Sequence, residues 1–290
     1  MTLSPIARWQ RQSAALLLVA ASLAVGAAQP ASASVVREPL VGLVMVTDTD
    51  PTSDDSIKLA SAVCPNNKTV VGFGWSVNPA SAELRLQILK PYQHSVIAQV
   101  HEDYDWYDYS WSLTVYAMCA EEPPGWSLLS RTGPLNSDPY HSEPIDCPAG
   151  TKPLAAGVEQ STGQGQIVVT DIDLNLTGVK SSAYEYEDDT SANWRITTYA
   201  ICADPPTGWE LQSSDNQTSY PTTNEFAVCP AGKTALSAGV DLNGAHGEVV
   251  LTSLRPGYYQ DEQFGKASAS EDETGTPDDW TLSADVICVD

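Results

Sequence analysis

The sequence predicts an all-β chain built as three tandem, disulfide-closed antiparallel β modules, and three observations predict it. The six cysteines fall into the pairs Cys64 and Cys119, Cys147 and Cys202, Cys229 and Cys288, separated by 55, 55 and 59 residues, with successive first cysteines 83 and 82 apart. Short runs of alternating apolar and polar residues recur between turn residues within each copy. No stretch shows the 3.6-residue period of an amphipathic helix, so the expected fold is all-β.

The register of the repeat is carried by more than cysteine. Each first cysteine is followed by proline (Pro65, Pro148, Pro230) and, ten positions on, by Gly74, Gly157 and Gly239. A tryptophan stands eight residues before each second cysteine (Trp111, Trp194, Trp280), and a glutamate nine before each tryptophan (Glu102, Glu185, Glu271). Pro-Pro seams at Pro123-Pro124 and Pro205-Pro206 lead into short strands that begin at Trp126 and Trp209, and Leu43 to Val46 supplies that strand for the first copy. The expected modules are therefore 40–122, 123–205 and 206–290, with no separate catalytic domain. Within the first, strands are expected at residues 69–77, 83–90, 96–101 and 111–119. The short seams favour a compact arrangement around a pseudo-threefold axis, although stiff prolines could equally hold the modules apart as beads.

Pairing within each copy follows from equal spacing. A bridge closing a loop of this size adds up to about 4 kcal/mol in the chain-entropy view, comparable to what a small β core supplies by itself. Metal binding by the six cysteines is the rival, and it fails because no C-x-x-C or C-x-x-H spacing is present.

Residues 1–33 read as a secretory signal peptide: Arg8 and Arg11 precede the apolar run Ala14 to Ala28, and Ala31-Ser32-Ala33 ends it. That run is too short to span a bilayer, for which about 20 residues are needed. A buried N-terminal helix is the competing reading. Export is the expectation, to an extracellular location, and it agrees with the disulfides. Removing this segment leaves 12 basic against 37 acidic side chains, a charge that repels nucleic acid and anionic membranes. No Lys/Arg cluster is visible, and no later apolar run is long enough for a membrane helix.

The C-P-x-G opening, the acidic stretch and the W-x-x-x-x-Y-A-x-C-A close, as in Tyr199-Ala200-Ile201-Cys202-Ala203, resemble secreted repeat proteins of actinobacteria that have no characterised activity. The resemblance covers the whole mature chain and brings no catalytic residues. Copy one departs from it at Asn66-Asn67 and copy three at Ala284 to Cys288. The three β modules are also similar to vitelline membrane outer layer proteins, which implies sheets forming a pseudo-threefold prism.

Enzyme frames are missing. His94, His101, His141 and His246 occupy non-equivalent positions and none sits in a recognised catalytic motif. They read as surface residues, with a Ser-His-Asp set assembled across copies as the alternative. The acidic loops before each tryptophan are the sequence's best site: Glu102, Asp103 and Asp105; Glu185, Glu187 and Asp188; Glu271, Asp272 and Glu273. Dense carboxylates suit a hard cation such as calcium, although no EF-hand order is present and a solvated loop has the same composition. Asp171-Ile172-Asp173 places polar side chains on one strand face, expected to be exposed. Tyr104, Trp106, Tyr107 and Tyr109 add rings to the first loop, where they could stack on a glycan or pack against the neighbouring module. Asn67, Asn175 and Asn216 head glycan acceptor sequons.

The sequence thus points to a secreted, non-enzymatic binding or structural protein whose partner is an extracellular or cell-surface polymer or protein. A hydrolase with a site between modules, or an inhibitor presenting one loop, are the alternatives.

Overall fold

Alternation makes the strands. In the computed structural model Trp111, Leu113, Val115 and Ala117 are buried while the residues between them are half-exposed, so each pleat sends one side chain to the core and the next outward. The structure describes residues 37–103, 108–161, 165–186, 192–215, 217–218 and 221–290. The first copy forms β1 (Val44–Ser53), β2 (Ile57–Val63), β3 (Thr69–Asn78), β4 (Leu84–Pro91), β5 (Ser95–Glu102) and β6 (Trp111–Ala120). The second forms β7 (Ser127–Thr132), β8 (Tyr140–Asp146), β9 (Lys152–Gln160), β10 (Ile167–Leu174), β11 (Gly178–Glu185) and β12 (Ile196–Ala203). The third forms β13 (Glu210–Ser213), β14 (Gln217–Thr218), β15 (Thr222–Val228), β16 (Thr234–Asn243), β17 (Val249–Tyr259), β18 (Glu262–Glu271) and β19 (Thr281–Val289). The fold is all-β and every ladder is antiparallel. The strands expected at residues 69–77, 83–90, 96–101 and 111–119 correspond to β3, β4, β5 and β6, with ends shifted by a residue.

The strands are shared between copies. Sheet I runs β1-β6-β3-β17-β18-β15, sheet II runs β2-β5-β4-β9-β12-β7, and sheet III runs β13-β19-β16-β10-β11-β8 with β14 also on β19. Each copy therefore gives one half to each of two sheets, and the three copies interleave within one compact unit, residues 37–290. The seams between copies are short ladders: Leu254 opposite Trp75, Leu89 opposite Val158, Ile172 opposite Val240. Their inner side chains all join one core, whose largest side chains are Trp75, Trp111, Trp194 and Trp280, each fully buried.

Bridges join Cys64 to Cys119, Cys147 to Cys202 and Cys229 to Cys288, with Cα atoms 5.7, 5.8 and 5.7 Å apart. These separations suit disulfide geometry. The proline after each first cysteine opens a tight turn in which Lys68, Thr151 and Lys233 each donate their backbone N–H to its carbonyl, at 3.0, 3.0 and 3.1 Å. The turn needs left-handed backbone, which Gly150 (φ 91°) and Gly232 (φ 86°) supply without strain. Copy one uses Asn66 and Asn67 at φ 52° and 57°, the non-glycine type that best tolerates that region.

The glycine ten positions after each first cysteine has a packing cause at two seams. A Cβ on Gly74 would stand 2.3 Å from the Leu254 carbonyl oxygen, and one on Gly157 would stand 2.4 Å from that of Leu89. On Gly239 it would meet only side chains, the nearest Leu174 at 3.0 Å. Gly157→Ala is expected to cost about 1–3 kcal/mol through backbone displacement, and Gly239→Ala less. Denaturant unfolding of the two variants checks the order, and equal losses would show that the seams are not the cause.

Candidate functional site

The acidic loops lie at one end of the sheets, between β5 and β6, β11 and β12, β18 and β19. Their glutamates have a structural partner that recurs in all three copies: Glu102, Glu185 and Glu271 each accept the indole N–H of Trp111, Trp194 and Trp280, at 2.8 Å every time. A buried indole N–H is stabilised by an acceptor. The nine-residue offset between glutamate and tryptophan is thus a hydrogen bond across the loop. Asp105, Glu187, Asp188, Tyr104, Trp106 and Tyr107 lie outside the described residues, while Tyr109 is well exposed.

The next position in each loop turns inward. Asp103 pairs with the buried guanidinium of Arg85, which also donates to the Gly165 carbonyl and lies 3.8 Å over the Tyr186 ring. Asp272 accepts at one oxygen from Thr274 N, Thr274 Oγ1 and Gly275 N, at 3.0, 2.9 and 2.9 Å. Burial, followed by the charge of Asp272, raises the Tyr186 phenol. Arg85 occupies the place that Val168 and Val250 hold in the other copies, and those valines cluster with Ala82 and Tyr186. Glu273 faces Glu83, whose carboxyl is pushed up to about 7, first by burial and then by its hydrogen bond with Glu273. Among the described residues, no group of three or more histidine, cysteine, aspartate or glutamate side chains is placed to hold a metal ion.

The histidines are dispersed. His94 bonds the Lys68 carbonyl at 2.9 Å, His101 lies beside Gln99 and is lowered by burial, and His141 packs edge-on to Trp194 with ring centroids 4.2 Å apart. His246 stands near Tyr184, ring centroids 5.7 Å apart. Among the described residues none is hydrogen-bonded to a serine hydroxyl or a carboxylate.

The chemistry that differs most between copies lies on the outer faces. One row crosses each sheet at equivalent positions, with the glycine of the repeat near its centre. Its members are register partners except at the seam, where the glycine and the residue across from it stand one position beyond the paired residues. On sheet I the row is Thr47, Tyr116, Gly74, Arg255, Lys266, Phe226. On sheet II it is Ser130, Tyr199, Gly157, Lys90, Ile97, Ser61. On sheet III it is Ser213, Asp285, Gly239, Asp173, Lys180, Pro144.

No protein-family model matches the chain, and no curated protein does. The three rows differ from one another in charge. On sheet II Lys90 is neutralised by Glu159 at 2.8 Å, and the Tyr199 hydroxyl donates to the same carboxylate oxygen. On sheet III the sign is reversed. Asp173 is pushed up to about 7 by burial and then by the charge of Asp285, and Asp171 to about 6 by burial and a hydrogen bond with Asp241. Lys180 is the nearby cation, 3.9 Å from Asp171. Sheet I carries two cations and two aromatic rings, with the guanidinium of Arg255 over Tyr116 at 5.4 Å and the Lys266 ammonium over Phe226 at 5.8 Å.

These raised carboxyls set a pH dependence. Glu83, Asp171 and Asp173 hold their protons to higher pH when folded than the value of about 4 they have unfolded. The folded state then binds more protons between about pH 4 and 7, so stability falls as pH rises through that window. The melting temperature is expected to be higher at pH 5 than at pH 8 at constant ionic strength. Equal values would show that these carboxyls ionise freely in the folded protein.

Sequence reading placed the site at the loop carboxylates. It passed over the outer rows because their members come from strands distant in the chain. The visible signal was substitution within the repeat: Tyr116, Tyr199 and Asp285 stand three residues before each second cysteine.

Proposed function

We propose that this chain is an exported binding protein that uses the outer faces of its sheets, rather than its loops, for recognition. The observation that carries the reading is the contrast between the rows. One framework of disulfide, glycine, tryptophan and glutamate is kept in all three copies, while the equivalent outward positions hold a cationic, a paired and an anionic set. Export is supported by the signal-like order of residues 1–33 and by three disulfides, which persist in oxidising compartments. Among the described residues no helix is long and apolar enough to cross a membrane.

The test is capture of purified neutral and anionic cell-wall polysaccharides, and of secreted proteins, by the immobilised oxidised protein. Charge-removing variants would be made on one face at a time: Arg255→Gln on sheet I, Lys90→Gln on sheet II, Asp173→Asn on sheet III. Saturable capture that one variant weakens and the other two leave intact supports the reading. Capture that no face variant alters, or turnover of the polymer, would replace it with a loop site or a hydrolase.

A further inference from the structure

The clearest local imbalance in this acidic chain is a pair of cations without a counter-charge. Arg255 and Lys266 are direct cross-strand partners on β17 and β18, both half-buried. Like charges opposite each other in a sheet repel. Burial, and then Arg255, lower the Lys266 ammonium. Among the described residues neither has a carboxylate within ion-pair distance, although the chain carries 37 acidic side chains.

The repeat shows what is missing. Where sheet II has Glu159, sheet I has Ser76, whose hydroxyl lies 3.2 Å from the Tyr116 hydroxyl. On sheet II that glutamate takes its hydrogen bonds from a lysine and a tyrosine at the places of Arg255 and Tyr116. A serine hydroxyl stops two bonds short of a glutamate's carboxylate oxygen and carries no charge, so the cation and the phenol remain while the carboxylate does not. We propose that the outer face of sheet I binds a ligand carboxylate, which takes the position that the Glu159 carboxylate holds on sheet II. Arg255 is suited to a bidentate contact, Lys266 adds a second charge, and the Tyr116 hydroxyl is a donor. The Tyr116 and Phe226 rings flank the cations and offer apolar surface to whatever carries the carboxylate, such as a sugar acid.

This rests on the outward faces being recognition surfaces, and the experiment separates the two. The full oxidised protein is titrated with acetate, glucuronate and phosphate, with sodium chloride at matched ionic strength as the control. Binding is followed by calorimetry and by chemical shifts of the backbone amides of residues 255 and 266. The expected result is saturable binding of glucuronate, and more weakly of acetate, that chloride does not reproduce. Arg255→Gln should weaken it at least about tenfold, the loss expected of a charge-assisted hydrogen bond. Ser76→Glu, which supplies an internal counter-ion, should abolish it and raise the melting temperature. Lys266→Gln relieves the repulsion and should keep the fold while weakening binding, so loss of binding cannot be ascribed to unfolding.

No saturable response to either carboxylate, or a Ser76→Glu variant that binds like the parent, overturns the proposal. Binding of phosphate without either carboxylate overturns the carboxylate assignment. If carboxylates fail while polymer capture still depends on a different face, only this inference falls. If carboxylates bind but no polymer or protein is captured, the broader reading falls and this site stands.

Discussion

Asp103→Ala is expected to destabilise the protein by about 3–5 kcal/mol, the range seen when one partner of a buried ion pair is removed. Arg85 is 1% exposed, and its guanidinium lies between Asp103 of its own copy and Gly165 and Tyr186 of the second. With Asp103 gone it retains the Gly165 carbonyl, the Tyr186 ring face and the nearby carboxyl of Glu83, which burial holds toward its neutral form. Among the described residues the Arg85 Nε has no hydrogen-bond partner. Arg85→Val with Asp103→Ala should recover much of the loss, because valine is what the second and third copies place there. A double-mutant cycle in urea measures the coupling, expected at about 0.5–3 kcal/mol for groups in contact. An Asp103→Ala protein within about 1 kcal/mol of the parent would mean that water reaches the guanidinium, against its burial.

Cys147→Ala with Cys202→Ala is expected to cost about 4 kcal/mol, the loop-closure contribution for a span of this length. The other two pairs should cost nearly the same, since the bridged spans are 55, 55 and 59 residues. How the loss is expressed discriminates more than its size. Every sheet is built from two copies, so removing one bridge should shift a single calorimetric transition to lower temperature. An additional early transition, with the remainder unchanged, would show that the second copy unfolds by itself.

Much of the framework was legible because its signals are local. Cysteine spacing identified the bridges, and the glutamate nine before each tryptophan marked a contact across one loop. The strands β2, β8 and β15 escaped notice. Their alternation is real, with Ala60 and Ala62 buried between exposed Leu59 and Val63, but small inward residues and outward apolar ones invert the usual pattern. Pro144 also interrupts β8, a residue that lowers the expectation of a strand. Strand sharing between copies was out of reach for a different reason. The seams rest on one or two register pairs joining residues as far apart as Trp75 and Leu254, and no local propensity encodes such a pairing. The outer rows inherit that difficulty, since Tyr116 and Arg255 meet only once the seam exists. The loop carboxylates stood out by composition, yet composition does not distinguish a ligand from an acceptor for a neighbouring indole.

The sharing of sheets also limits how this architecture can change length. In an open solenoid each unit contacts only its neighbours, so units can be added or lost while the ends are capped. Here the copies are joined circularly: the first meets the second in sheet II, the second meets the third in sheet III, and the third returns to the first in sheet I. Deleting residues 206–290 would leave β3 and β10 as raw inner edges with their backbone donors and acceptors exposed, an invitation to aggregation. A fourth copy would find no free edge of this kind to join. The copy number is therefore set by closure, and variation can enter only through the outward rows and the loops.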